Sequence, residues 1–189
     1  EVEGASVAAV CSRRELDSAD LEKRHGVPLK VFNDFTEMLE DPEIDAIDIC
    51  TPPSLHAKLA VQAADAGKHL IIEKPIAMSM ADCLSIEAAL KRNNVQGGVC
   101  FECRYSKHFS LVRSLIDQGL LGEIHYAEVD YFHGVGPWYG QFPWNVKKEH
   151  GGSSLLTAGC HALDAMLFFM DSPVVEVTSY QTRSQAKVF

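Results

Sequence analysis

Gly67-Lys68-His69-Leu70-Ile71-Ile72-Glu73-Lys74-Pro75 is the stretch on which the reading of this chain turns. A glycine closing an alanine-rich run (Ala57, Ala60, Ala63, Ala64) stops a helix. The short apolar run over 70–73 then reads as a strand, bounded by Pro75. Upstream, Ile44-Asp45-Ala46-Ile47-Asp48-Ile49-Cys50 alternates with period two and leads into Thr51-Pro52-Pro53, with Ser54 placed to cap the following helix. Strand, helix and strand in that order give parallel strands joined by a right-handed crossover. In an open parallel sheet, ligands bind outside the carboxyl ends of the strands. Lys74, delivered to such an end, is therefore the first candidate for chemistry.

The same alternation extends outward. Residues 5–11 form a small-residue strand with Ser12-Arg13-Arg14 just past its end. Residues 16–25 read as a helix stopped by Gly26, 29–32 as a strand, and Asn33 or Asp34 caps a helix to Glu40. On the other side, Ser79-Met80-Ala81-Asp82 has capping-box spacing, with Asp in place of the preferred Glu. Its helix runs to about Arg92, and 95–101 is a further strand. After Arg104 the character changes. Residues 109–118 form an amphipathic helix, 124–132 a longer alternating strand and 134–144 a loop rich in Gly, Pro and Trp. Residues 155–170 form a helix apolar nearly all round, and so buried; 174–182 is a last strand. Two α/β domains are expected: residues 1–101 with a parallel sheet, and 102–189 as part of a second domain with an open mixed or antiparallel sheet. No GxGxxG occurs anywhere in the chain. The chain thus reads as cut at its start.

Bulk properties narrow the function. The chain has 189 residues, 47% of them hydrophobic and 23% charged, as in ordinary soluble globular proteins. A net charge of −9 and a pI near 5.3 argue against nucleic acid or an anionic membrane surface as partner. Glu1-Val2-Glu3 opens without a basic start or apolar core, so no signal peptide is read. The run over 155–170 is broken by Thr157, Gly159, His161 and Asp164 and does not suit a membrane span. Cys11, Cys50, Cys83, Cys100 and Cys160 sit in apolar periodic segments, where free cysteine acts as a small buried hydrophobe. Cys100 and Cys103 make one CxxC, but no second pair accompanies it, so no metal site is expected. A reducing, cytoplasmic setting follows.

One constellation stands out. Thr157, His161 and Asp164 fall at i, i+4 and i+7, on one stripe of a helix. A buried polar stripe must be paired or must line a wet cavity. Either it faces a cleft, or Asp164 orients His161 in a structural network. A histidine and a strand-end lysine are what alcohol–ketone interconversion needs: a proton leaves the hydroxyl as hydride leaves its carbon. A cationic lysine also stabilises the developing alkoxide. Lys74 alone could equally be a surface lysine paired with Glu73.

Cys50-Thr51-Pro52-Pro53-Ser54-Leu55-His56, Gly67-Lys68-His69, Glu73-Lys74-Pro75, and Gly151-Gly152 leading to Gly159-x-His161-x-x-Asp164 resemble the Gfo/Idh/MocA family of NAD(P)-dependent oxidoreductases. Arg104-Tyr105 and Gly119-Leu120-Leu121-Gly122-Glu123-Ile124 match further stretches of that pattern. The resemblance implies a Rossmann domain followed by an α/β domain, and hydride transfer on a hydroxyl of a sugar, cyclitol or sugar derivative. It implies that Lys74 and His161 are catalytic. Thr51, Pro52 and His56 would line the cofactor groove, Glu73 would touch the cofactor, and Pro75, with a cis bond open to it, would shape the turn beside the nicotinamide. Arg104 and Trp144 would lie near the substrate, with Thr157 and Asp164 on the same side. Many members carry Asp four residues before the histidine; here Thr157 stands there, and a threonine cannot relay a proton as a carboxylate does. The family's first strand, its glycine-rich turn and the later part of its second domain are absent from this sequence.

After the second strand of such a fold, a carboxylate selects the ribose hydroxyl of NAD. Ser12, Arg13 and Arg14 stand in that region, and guanidinium groups suit a 2′-phosphate, which favours NADP over NAD. The expected partner is a small carbohydrate or polyol, with Trp138, Tyr139 and Trp144 as candidates for stacking on a sugar ring. A homo-oligomer, dimer or tetramer, is expected from the open sheet. Two other readings stay open: a redox-neutral glycoside-processing enzyme, and a non-catalytic sugar- or partner-binding descendant.

Overall fold

A computed structural model describes residues 3–134 and 141–181. Five strands and four helices alternate through the first hundred residues. They are β1 (Ala9–Cys11), α1 (Ser18–His25), β2 (Lys30–Phe32), α2 (Phe35–Glu40), β3 (Ala46–Ile49), α3 (Pro53–Asp65), β4 (His69–Glu73), α4 (Met80–Asn93) and β5 (Gly97–Cys100). All pairings are parallel, as the crossover pattern requires. β3, β4 and β5 form one sheet in that order, with Ile47 opposite Leu70 and Ile49 opposite Ile72. β1 and β2 form a separate two-stranded sheet. The two sheets share a core, because Ala9 and Phe32 pack against the same buried cluster as Ile47 and Ile72. This is the parallel α/β architecture expected from the alternation and the Rossmann type implied by the resemblance.

The local signals act as their chemistry predicts. Asp17 caps α1 by accepting from the Ala19 and Asp20 amides, and Gly26 ends it in the left-handed region. Asp34 caps α2. Ser79 Oγ accepts from the Asp82 amide at 3.1 Å and donates to the Asp82 carboxylate at 2.7 Å. Gly67, at φ +76°, turns the chain from α3 into β4. Ser54 differs from expectation. α3 starts at Pro53, which needs no N–H partner in the first turn, and Pro52 occupies the cap position. Ser54 Oγ instead shares a 3.2 Å hydrogen bond with His150 Nδ1.

Alanines let α3 lie close on the sheet: Ala60, Ala63 and Ala64 are wholly buried, as are Ile72 and Ile86. Each such large aliphatic side chain contributes roughly 1.5–3 kcal/mol by leaving water. Only one face of the sheet is covered, since Ile47, Ile49, Leu70 and Ile72 are buried while Asp48 and Ile71 are exposed. Cys50 continues β3 and is exposed; the other five thiols are half-buried and all six are free. The expectation of small buried cysteines therefore fails for Cys50, which emerges past the covered part of its strand.

Beyond β5 come a 3₁₀ turn (Glu102–Tyr105), α5 (Lys107–Asp117), a second 3₁₀ turn (Pro143–Val146), α6 (Lys148–Gly151), a π-helical turn (Leu155–Gly159) and α7 (Cys160–Phe169). The strands expected over 124–132 and 174–182 are not formed among the described residues. Their alternation is real, but a strand needs a neighbour for its N–H and C=O groups. Phe132, Val175 and Tyr180 are almost fully exposed, so no neighbour among the described residues covers those faces. The helix over 155–170 is likewise not buried all round: Leu155, Leu163 and Leu167 are about half exposed. No helix among the described residues is long and apolar enough to cross a membrane.

Candidate active site

Lys74 stands immediately after β4, at the carboxyl edge of the sheet, and the Lys74–Pro75 peptide bond is cis. Its Nζ does not pair with Glu73. It donates a 2.8 Å hydrogen bond to the main-chain carbonyl of Thr157, 83 residues further along the chain. Glu73 instead accepts from the Lys74 backbone amide at 3.1 Å. Thr157 lies inside the π-helical turn Leu155–Gly159, and such turns recur at functional sites. Gly152 sets the approach to that turn: at φ +82° a Cβ would also come within 2.8 Å of Leu156 Cδ1.

Lys74, Pro75, Thr157 and Trp144 line one cleft of about 240 Å³, together with Pro53 and Asn145. Trp144, expected near the substrate, is thus in the lining of this cleft. Trp138 and Tyr139 fall outside the described residues. Tyr131, His133 and Phe142 also line the cleft and were not singled out from sequence. Tyr131 lay in the segment read as a strand and His133 just past it, and the only available hint was the run of rings just before a glycine-rich loop.

The stripe is buried as its spacing requires: Thr157, His161 and Asp164 are 9%, 8% and 6% exposed. Thr157 lines the cleft, as one reading of the stripe has it, but the other reading fails. Asp164 does not orient His161; it takes a bidentate pair from Arg104, with Nε to Oδ2 at 2.8 Å and Nη2 to Oδ1 at 2.5 Å. That hydrogen-bonded carboxylate holds the Arg104 pKa above its ordinary value. The guanidinium also sits 5.3 Å from the Phe168 ring centre and 5.9 Å from that of Phe101. Arg104 and Asp164, expected beside the substrate, therefore satisfy each other. The Thr157 hydroxyl is committed as well, donating to the Ser153 carbonyl at 3.0 Å. His161 lies behind Tyr131, whose ring stacks on it at 5.9 Å. Its Nδ1 has no hydrogen-bond partner among the described residues.

His56, expected in the cofactor groove, is wholly buried. Its Nδ1 lies 2.8 Å from the Pro75 carbonyl and its Nε2 2.8 Å from that of Thr51. It pins the start of α3 to the two loops that follow β3 and β4, and has no surface left for a ligand. Thr51 itself is different: its Oγ1 is buried without a hydrogen-bond partner among the described residues. Ser12 Oγ accepts from the Arg14 amide at 3.1 Å, which folds the loop after β1 and leaves Arg13 and Arg14 exposed. Cys50 is exposed as a residue but its thiol is partly shielded; that desolvation, with Asp48 adding to it, pushes the thiol up to about 11, so it stays protonated at neutral pH. Cys160 is raised by burial although Lys74 opposes the shift.

Residues 1–101 match the model of the GFO/IDH/MocA oxidoreductase family, described by its NAD-binding Rossmann fold. The chain belongs to the Gfo/Idh/MocA family. Residues 109–188 match the family's C-terminal domain model. Among curated relatives, levoglucosan dehydrogenase of Pseudarthrobacter phenanthrenivorans is 31% identical over 137 residues, which are 70% of this chain and 34% of that protein. Myo-inositol 2-dehydrogenase of Thermotoga maritima is 26% identical over 176 residues, 93% of this chain and 51% of that one. Among solved structures, an aldose-aldose oxidoreductase of Caulobacter crescentus complexed with glycerol superposes with a TM-score of 0.75 at 27% identity. That match covers 86% of this chain and 49% of the other. The chain thus spans about a third to a half of the length of these relatives.

Proposed function

We propose that this chain carries the catalytic half-site of an NAD(P)-dependent dehydrogenase acting on a hydroxyl or keto group of a sugar, cyclitol or sugar derivative. One observation carries the reading. Lys74, at the carboxyl end of β4, is aimed across a cleft and held on the Thr157 carbonyl. A lysine fixed in this way stands where a substrate hydroxyl becomes an alkoxide and can stabilise it. His161, one turn beyond Thr157, takes or returns the proton. Trp144 offers its ring to the apolar face of a sugar. The relatives named for levoglucosan, inositol and aldose chemistry support a polyhydroxylated substrate.

The loops after β1, β3 and β4 fit a nicotinamide dinucleotide. Thr51 stands at one of these strand ends, its Oγ1 buried and without a hydrogen-bond partner among the described residues. Thr51, Pro52, Glu73 and Pro75 would hold the nicotinamide half, and Ser12, Arg13 and Arg14 the adenosine half. NADP is preferred, because two exposed guanidiniums beside a hydroxyl suit a 2′-phosphate. The cofactor supplies the hydride acceptor or donor; the protein supplies orientation and the proton path. The boundary between the two domains falls near residue 102, and the intact protein works as a homo-oligomer.

In the intact protein, Lys74→Ala should lower kcat by roughly 10²–10⁴-fold while cofactor still binds. Unchanged turnover would refute the assignment. Titration of nicotinamide fluorescence should show tighter binding of NADPH than of NADH; the reverse order would refute the cofactor preference. A second reading, a non-catalytic sugar binder, is favoured by the committed Thr157 hydroxyl and by Tyr131 over His161. It requires sugar binding by calorimetry with no hydride transfer from any polyol.

A further inference from the structure

The 3₁₀ turn after β5 places three different metal-ligating groups together. Glu102, Cys103 and His161 each bring a ligand atom within 4.8 Å of the other two. His161 Nε2 is 3.8 Å from Glu102 Oε1. The histidine is 8% exposed, and its Nδ1 makes no hydrogen bond among the described residues. Two rings fix the imidazole: Phe101 edge-on at 6.0 Å and Tyr131 stacked at 5.9 Å. A buried, immobilised imidazole beside a thiol and a carboxylate is a ligand set in search of a cation.

We propose that Glu102, Cys103 and His161 bind a thiophilic divalent cation of the Zn²⁺ class, and that a cation held there withdraws His161 from proton transfer. The second half of this statement rests on the role given to His161 above; the first does not. Thiolate, imidazole and carboxylate together suit Zn²⁺ or Co²⁺, whereas Mg²⁺ and Ca²⁺ want oxygen ligands. With bond lengths of about 2.0–2.3 Å to zinc, tetrahedral ligands sit roughly 3.3–3.8 Å apart. His161 and Glu102 are already at 3.8 Å and no pair exceeds 4.8 Å, so closure onto an ion takes shifts of up to about 1 Å, and the Glu102 side chain, 70% exposed, has room for its part. On binding, the Cys103 thiol loses its proton to solvent as the metal–sulfur bond forms. The thiolate and carboxylate then balance the two charges of the ion. Arg104, the adjacent cation, does not oppose this, because Asp164 already neutralises it. Water fills the fourth position. The site does not use the CxxC as a pair: Cys100 is outside the cluster.

The test is a Co²⁺ titration of the reduced, intact chain, reading the thiolate-to-cobalt charge-transfer absorption. One Co²⁺ per chain is expected to produce the band, and Zn²⁺ but not Mg²⁺ to bleach it. Cys103→Ser should remove the band and Cys100→Ser should leave it. Glu102→Gln and His161→Gln should each weaken binding roughly tenfold or more. Circular dichroism establishes that each variant is folded. A band that survives Cys103→Ser, or no band in the parent chain, overturns the site whether or not the protein is a dehydrogenase. For the second half of the proposal, Zn²⁺ should slow turnover in the intact protein at least roughly tenfold less in Cys103→Ser than in the parent. Equal inhibition of both would overturn it.

Discussion

Between β3 and α4 the apolar side chains face one another, while after Tyr105 many of them face water. Ile47, Ile49, Leu70, Ile72 and Ile86 are all at or below 3% exposure, whereas Phe132, Val175 and Tyr180 exceed 90%. The first region is closed by short-range crossovers: each strand finds its partner one helix later. The second region packs a few rings, Phe109 against Phe168 and Phe169, and polar groups tie it together and to the first. Lys74 holds Thr157 across the cleft, Ser54 meets His150, and Arg104 clasps Asp164. The difference teaches that the scaffold and the site are separable here. Apolar area builds the sheet, and a few hydrogen bonds bring the second region's helices onto its edge.

That contrast can be broken by mutation. Ile72→Ala, in the centre of the first region, should cost about 2–5 kcal/mol of unfolding free energy, because a wholly buried aliphatic leaves a cavity. Denaturant unfolding measures it, and a loss below about 0.5 kcal/mol would mean that β4 does not anchor the core. Arg104→Leu leaves the buried Asp164 carboxylate without its partner and should cost roughly 1–3 kcal/mol. The loss should register by near-ultraviolet circular dichroism of the second region before the first unfolds. Simultaneous melting of both regions would show one cooperative unit instead of two. Val175→Ser, 92% exposed, should change stability by no more than about 0.5 kcal/mol. A larger loss would reveal packing on a face that looks open.

Much of the scaffold was legible because its signals are local. Period-two alternation marked β3, Gly67 marked the turn into β4, and Ser79 with Asp82 marked the start of α4. The missing strands show where locality ends. The segments 124–132 and 174–182 carry strand patterns, but pairing is a property of two segments, and the pattern of one cannot supply the other. The site was legible in part for the same reason. Helical spacing placed Thr157, His161 and Asp164 on one buried stripe, yet spacing does not say which partner each finds. Arg104, 60 residues before Asp164, took the carboxylate that the helix alone would have offered to His161. His56 sat in a stretch rich in ligand-binding residue types, and only burial distinguishes a pin from a contact. At Thr157 it is the main-chain carbonyl that receives Lys74, a contact that the identity of the side chain does not announce.

The central claim is that Lys74, from the sheet edge, and His161, from α7, act as one proton-handling unit. A double-mutant cycle on kcat in the intact protein tests it most directly. Lys74→Ala and His161→Ala should each lower the rate by roughly 10²-fold or more. The double variant should be about as slow as the worse single variant, because groups serving one step are non-additive. Losses that multiply in the double variant would contradict the claim.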